Sequence, residues 1–334
     1  MLPPMSRLAL PAHALVALLA LAGCGTSAPQ PPAAPAAPAL AVPAEGWVSS
    51  LDRAHPLVGR IWSVREGRFV DERTVRAALR GYVLLGEKHD NPDHHALQAR
   101  LLDAMVADGR RPVVAFEMLD LEAQAKIDAA RAAAGSTPES IAAAADWEHS
   151  GWPDFAIYRP VFRAALATSQ PLLGTGLPSS TLRGLVRGTA AAPEPVPAAA
   201  ALDPEQLASL REELVASHCG HLPATMVDGM VRAQRARDAT MARVLAAGVA
   251  RGATDAVLVA GSGHARRDRG VPRDLAIQDP TRSVTSIGFV EVEHERGAPG
   301  DYAARWKATA LPFDYAWFTP RASDEDPCAG MRGP

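Results

Sequence analysis

The sequence has only three cysteines, no Cys-x-x-Cys pair and no Cys/His finger spacing. That argues against a structural zinc site, which needs four closely grouped thiolate or imidazole donors. An excess of one charge is also missing: 34 basic and 37 acidic side chains leave a net charge of -3. The most arginine-rich stretch, residues 232–243, spaces its charges like a solvated helix face, so nothing argues for a nucleic-acid partner. No internal repeat is visible. Beyond residue 21 no apolar run approaches the about 20 residues that a membrane-spanning helix needs.

What is present begins at the N-terminus. An apolar run over residues 8–21 follows a short segment whose only basic side chain is Arg7. It is too short to span a bilayer comfortably and has the length of a secretory h-region. Leu21-Ala22-Gly23-Cys24 then resembles the bacterial lipobox, which implies a diacylglycerol on the Cys24 sulfur and cleavage before it. Fourteen of the twenty residues 25–44 are alanine or proline, a composition for a semi-rigid spacer and not for a core. Expected are a signal peptide over 1–23, a tether over 24–45, an α/β domain over 46–320 and a C-terminal tail over 321–334. Anchoring then rests on lipid, and two or more acyl chains make it stable. Gly25 lacks the aspartate character that retains some lipoproteins at the inner membrane, which favours the outer membrane facing the periplasm. The two remaining cysteines, Cys219 and Cys328, can pair in an oxidising envelope, but the sequence does not show that they meet.

Within the domain, short apolar runs at 82–85, 113–116, 171–174 and 256–260 alternate with longer alanine-rich helical patterns. Strands buried on both faces and separated by helices predict an α/β fold with a mainly parallel sheet flanked by helices. Residues 60–70 read as a hairpin turning at Glu66-Gly67, and 284–292 as a late strand at an edge. Residues 189–201, again rich in alanine and proline, read as a surface loop or insertion.

The chemistry-bearing residues cluster where strands stop. Carboxyl ends of parallel strands share one sheet edge, so side chains distant in sequence converge there. The first run leads into Gly86-Glu87-Lys88-His89, the second into Glu117, and the fourth into Gly261-Ser262-Gly263-His264. Glu87 and His89, two apart, point to the same side if strand geometry persists. Asn91-Pro92 reads as N-cap and first helical residue, placing free N–H groups near an anion site. On that helix His94 shares a face with Leu97, Leu101 and Met105, and His95 is rotated by about 100°, so one of the two histidines faces inward. His89, Glu117 and His264 suit a general base with orienting partners; together with Glu87 they also form a candidate divalent-metal set. Glu87, His94, Arg266 and Asp268 are candidate pocket residues. Trp147, Trp152 and Tyr158 read as packing over the sheet edge, and Met226, Met230 and Met241 as core or flexible cover.

Five segments, in order, carry a resemblance: Leu85-Gly86-Glu87-Lys88-His89-Asp90-Asn91-Pro92-Asp93-His94-His95; Phe116-Glu117-Met118; Trp147 through Gly151-Trp152-Pro153 to Tyr158; residues 232–242; and Gly261-Ser262-Gly263-His264-Ala265-Arg266 through Pro272. Over residues 55–293 the chain resembles the ChaN family of iron-regulated, haem-binding lipoproteins, and more distantly the Tiki/TraB and erythromycin-esterase-like superfamily. The family implies a bound haem with a tyrosine as axial ligand, and two haems paired across a homodimer. Tyr82, Tyr158, Tyr302 and Tyr315 are the only tyrosines, and none is singled out by its sequence. The superfamily implies instead hydrolysis, by metal or general base, at Gly86 to His89, Glu117 and His264. A third reading leaves the cluster as a satisfied structural network.

Overall fold

The computed structural model describes residues 41–43, 45–326 and 328–329, which belong to one unit. The signal peptide, Cys24 and most of the expected tether lie outside the described residues.

Each short apolar run forms a strand. The eight are β1 (Ile61–Ser63), β2 (Arg68–Val70), β3 (Tyr82–Glu87), β4 (Val113–Asp120), β5 (Leu172–Gly176), β6 (Ala256–Gly261), β7 (Val284–Glu291) and β8 (Tyr315–Thr319). They make one sheet in the order β2-β1-β8-β7-β3-β6-β4-β5. The six strands β3 to β8 run parallel, and the β1–β2 hairpin adds antiparallel to β8. Gly67 makes the hairpin turn at φ +61°, the left-handed region that glycine enters at no steric cost. β7 is not at an edge: it lies between β3 and β8, and β8 is a strand that the sequence pattern did not reveal.

Among the described residues ten α-helices connect the strands: α1 (Glu72–Ala78), α2 (Pro92–Ala107), α3 (Gln124–Ala132), α4 (Pro138–Ala144), α5 (Phe155–Ala167), α6 (Ser179–Arg187), α7 (Pro204–Ser217), α8 (Ala224–Ala250), α9 (Ser262–Ala265) and α10 (Val271–Gln278). Alternation along the strands sends successive side chains to opposite layers. Val83, Leu85, Val114, Phe116, Val257 and Val259 pack with Leu97 and Leu101 of α2 and Phe162 of α5. Tyr82, Leu84, Ala115 and Leu258 pack on the other face with Leu245 of α8 and Leu275 of α10. Helices therefore cover both faces, as a doubly buried parallel sheet requires. Among the described residues no helix is long and apolar enough to cross a membrane.

Helices α6, α7 and α8 lie between β5 and β6, and the alanine/proline-rich residues 189–201, expected as a surface loop or insertion, connect α6 to α7 with a 3-10 turn at Ala198–Ala200. Both ends of the described chain are tied down. Ala41, in the segment read as tether, is buried, and its carbonyl accepts from Trp317 Nε1 at 3.2 Å. Arg321 bridges to Leu51 and pairs with Asp52, and Cys219 is disulfide-bonded to Cys328.

Candidate functional site

At the carboxyl edge of β3, Glu87 is 2% exposed and collects a shell of donors. His89 Nδ1 and Tyr158 Oη each donate to Oε1 at 2.9 Å, and Gln98 Nε2 donates to Oε2 at 2.6 Å. Burial opposes ionisation, but the His95 ring nearby and the hydrogen bond from His89 outweigh it, so the carboxyl is held well below the usual range. His95 Nδ1 lies 3.2 Å from Glu87 Oε2 and 3.1 Å from Gln98 Oε1, while its Nε2 faces the His89 carbonyl at 3.0 Å. Both ring nitrogens thus meet oxygen acceptors.

His94 and His95 are both fully buried, so the rule of one inward histidine fails: α2 is enclosed on both sides of that turn. His94 is a core residue outside the cluster. Its Nδ1 accepts from the Lys88 N–H, which leaves Nε2–H to donate to Thr319 Oγ1 at 2.9 Å. Burial holds its pKa well below the ordinary value, so the ring is neutral. The anion site expected at the start of α2 is also closed, because Asn91 Oδ1 takes the N–H groups of Asp93 and His94.

Glu117 is brought to the same edge by an irregularity in the β4–β5 ladder after Phe116, of the kind that re-aims a side chain. It is 3% exposed and is gripped by Arg237 on Oε1 and by the Gly261 N–H on Oε2 at 2.7 Å. His264 Nε2 stands 3.4 Å from Oε1, and His89 Nε2 3.9 Å from Oε2. Burial raises the Glu117 pKa, whereas His264 and Arg237 lower it, and the outcome is well below the ordinary value. His264 is 4% exposed, and its Nδ1 donates to Asp238 Oδ1 at 2.6 Å. Burial disfavours its charge, but Glu117 and Asp238 prevail and push the pKa up to about 9. Gly261 leaves room for the imidazole: a Cβ there would come within 2.9 Å of His89 Nε2, and the ring would have to shift.

Glu87, His89, Glu117 and His264 do converge, as their strand-end positions predict. The candidate metal set gains no support: among the described residues no group of three or more His, Cys, Asp and Glu is placed to hold an ion. The reason is local. Glu87 is spent on Gln98, Tyr158 and His89, and Glu117 on Arg237 and a backbone N–H. Arg266 and Asp268 stay outside the cluster. Arg266 is fully buried and binds Asp268 at 2.6 Å, Glu213 at 2.5 Å and the Trp306 carbonyl at 2.8 Å, a structural knot.

The sequence reading missed Gln234, Arg237 and Asp238, which α8 delivers to the cluster at i, i+3 and i+4. The arginine run is therefore not a solvated face. Arg235 is 7% exposed and pairs with Asp238 and Asp274, and Arg232 binds the last carbonyls of α6. Tyr158 and Trp152 likewise do more than pack: Tyr158 donates to Glu87, and Trp152 lies edge-on against His89 at 4.8 Å.

Gln234 and Arg237 also form the inner end of a groove of about 400 Å³ between α6, α7 and α8, lined by Leu182, Val186, Leu214, Met226, Met230 and Ala233. Arg183 and Arg187, both exposed, stand on its α6 wall.

These features define an α/β protein with a histidine–carboxylate cluster at the carboxyl edge of a parallel sheet and an apolar groove beside it. The family described as "Haem-binding uptake, Tiki superfamily, ChaN" matches residues 74–275, and the chain belongs to that family. Its fold is similar to ChaN of Campylobacter jejuni, solved with cofacially bound haem, at TM-score 0.60 and 21% identity over 77% of this chain and 95% of that one. More remote are the type III effector HopBA1 (TM-score 0.43, 13% identity, 74% and 92% covered) and an erythromycin esterase in its open conformation (TM-score 0.39, 14% identity, 78% and 81% covered). No curated protein matches the chain in sequence.

The tyrosine ligand implied by the resemblance is not on offer at this site. Tyr82, Tyr158 and Tyr302 are at most 1% exposed, and their hydroxyls are engaged with Asp279, Glu87 and the Glu293–Arg296 backbone respectively. Burial raises the pKa of each, and that of Tyr82 to about 12. Tyr315 starts β8, at the opposite edge of the sheet.

Proposed function

We propose that this protein binds haem in the cell envelope, for uptake or storage, while tethered by lipid at Cys24. Membership of a haem-binding family is the observation that carries the reading. Export agrees with the Cys219–Cys328 disulfide, since such bonds persist in oxidising compartments and are rare in the cytosol. The outer membrane, facing the periplasm, is the address implied by Gly25. The Campylobacter jejuni protein binds haem cofacially; a homodimer pairing two haems face to face is the corresponding assembly here. The test is a haemin titration of the lipidated full chain, with molar mass measured in parallel. We expect a Soret shift that saturates near one haem per chain. Absorbance that rises without saturation would refute the reading.

A second reading, hydrolysis, is favoured by His89. Its side chain is 32% exposed, its Nδ1 is fixed on Glu87, and its Nε2 is left to take a proton. Burial lowers the pKa of this ring, but Glu117 and Glu87 raise it more. Ester cleavage by His89 therefore increases as pH rises through that elevated value and disappears in His89→Ala. No turnover of activated esters by wild type at alkaline pH would sink it.

A further inference from the structure

The groove between α6, α7 and α8 has three properties that belong together. Its floor is apolar and partly open: among the described residues Met226, at 39% exposure, is one of only two exposed large hydrophobic side chains. Its wall carries Arg183 and Arg187, one helical turn apart on α6 and so side by side, and neither makes an ion pair among the described residues. Its inner end is polar, formed by Gln234 and Arg237.

A flat apolar body bearing two adjacent carboxylates satisfies all three. The body covers the floor, and each carboxylate meets a planar guanidinium that binds such groups bidentately. A simple fatty acid has one carboxylate and leaves the other arginine idle. An extended peptide needs backbone partners, and these helix faces offer none. The ligand class that fits is a dicarboxylate tetrapyrrole.

We propose that this groove is the porphyrin seat, with the ring against Met226 and Met230 and the propionates on Arg183 and Arg187. The proposal rests on the haem-binding reading and adds the location. No tyrosine lines the groove, and its possible iron donors are the two thioethers and the Gln234 amide. Binding is thus carried by ring burial and propionate pairing, and iron is not needed for it.

The experiment titrates the full chain in lipid nanodiscs with haemin and with metal-free protoporphyrin IX, against protein-free nanodiscs. Both ligands are expected to bind, and the Arg183→Glu/Arg187→Glu variant is expected to weaken both about ten-fold or more, the scale of one lost charge-assisted hydrogen bond. Ala233→Trp, which fills the floor, should act in the same direction, while Tyr315→Phe leaves both affinities unchanged. Unaltered melting temperatures establish that the variants fold. Wild-type affinity in both groove variants, or loss of haemin binding in Tyr315→Phe, overturns the location and leaves the haem reading standing. Haemin binding without protoporphyrin binding overturns the iron-independent seat. Failure of wild type to bind either ligand removes the haem reading and the seat together.

Discussion

His264 is held between Asp238 and Glu117 with almost no access to water. Its folded pKa of about 9 lies above the about 6.5 of an unfolded histidine. A raised pKa means that the charged ring stabilises the fold fully below about 6.5 and that this contribution is lost as pH climbs through about 9. The amount at stake is on the order of 3 kcal/mol. Urea midpoints measured from pH 6 to pH 10 should fall between about pH 6.5 and about pH 9 and level off above that. In His264→Gln the starting stability should be lower and the alkaline decline flatter; an unchanged slope would show that the ring is not the group responsible. The position of His264 was legible because it follows a strand end. Its partner Asp238 was not, because a carboxylate in a helix that also carries four arginines looks in sequence like one more solvated charge. The same holds for Arg237, whose contact with Glu117 exists only because α8 crosses beside the end of β6.

At the scale of elements, strands with apolar residues on both faces announced themselves, and so did the start of α2. Asn91 caps that helix as its sequence implies, yet its side-chain amide also reaches Glu291 at the end of β7 and the Pro320 carbonyl. Those contacts tie the loop that follows Glu87 and carries His89 to the ends of β7 and β8, and local spacing cannot reveal them. β8 escaped notice for a related reason. It has only five residues, it follows Pro312-Phe313, and its strand character comes from being clasped between β7 and the antiparallel β1. Once β8 is in place, β7 ceases to be an edge, and the exposed edges fall to β2 and β5. On β5 the backbone is covered in part by Gln124, whose amide donates to the Leu172 carbonyl and accepts from the Gly174 N–H, both at 2.8 Å. A side chain thereby imitates a neighbouring strand and blunts an edge that otherwise templates pairing with another chain.

At the scale of the whole molecule, one covalent link joins the helical insertion to the C-terminal segment. Cys219 lies in the left-handed region at the corner between α7 and α8, and Cys328 lies 109 residues further on, with α8, β6, β7 and β8 between them. A loop of that length confines the unfolded chain strongly, so the bond is expected to contribute about 2 to 4 kcal/mol. The same corner borders the groove, since Leu214 belongs to α7 and Met226 to α8. Reduction therefore has two consequences that can be separated. The melting temperature should fall in Cys219→Ser/Cys328→Ser and in reduced wild type alike. Amide exchange should rise first in the end of α7 and the start of α8, not in the sheet, because α8 beyond residue 233 is anchored by Arg235 to Asp274 and by Arg237 to Glu117. Equal exchange in oxidised and reduced protein at that corner would mean that packing alone holds the groove. Faster exchange confined to it would make the disulfide the brace of the ligand-facing wall, and would explain why a protein with so few cysteines keeps two for one bond.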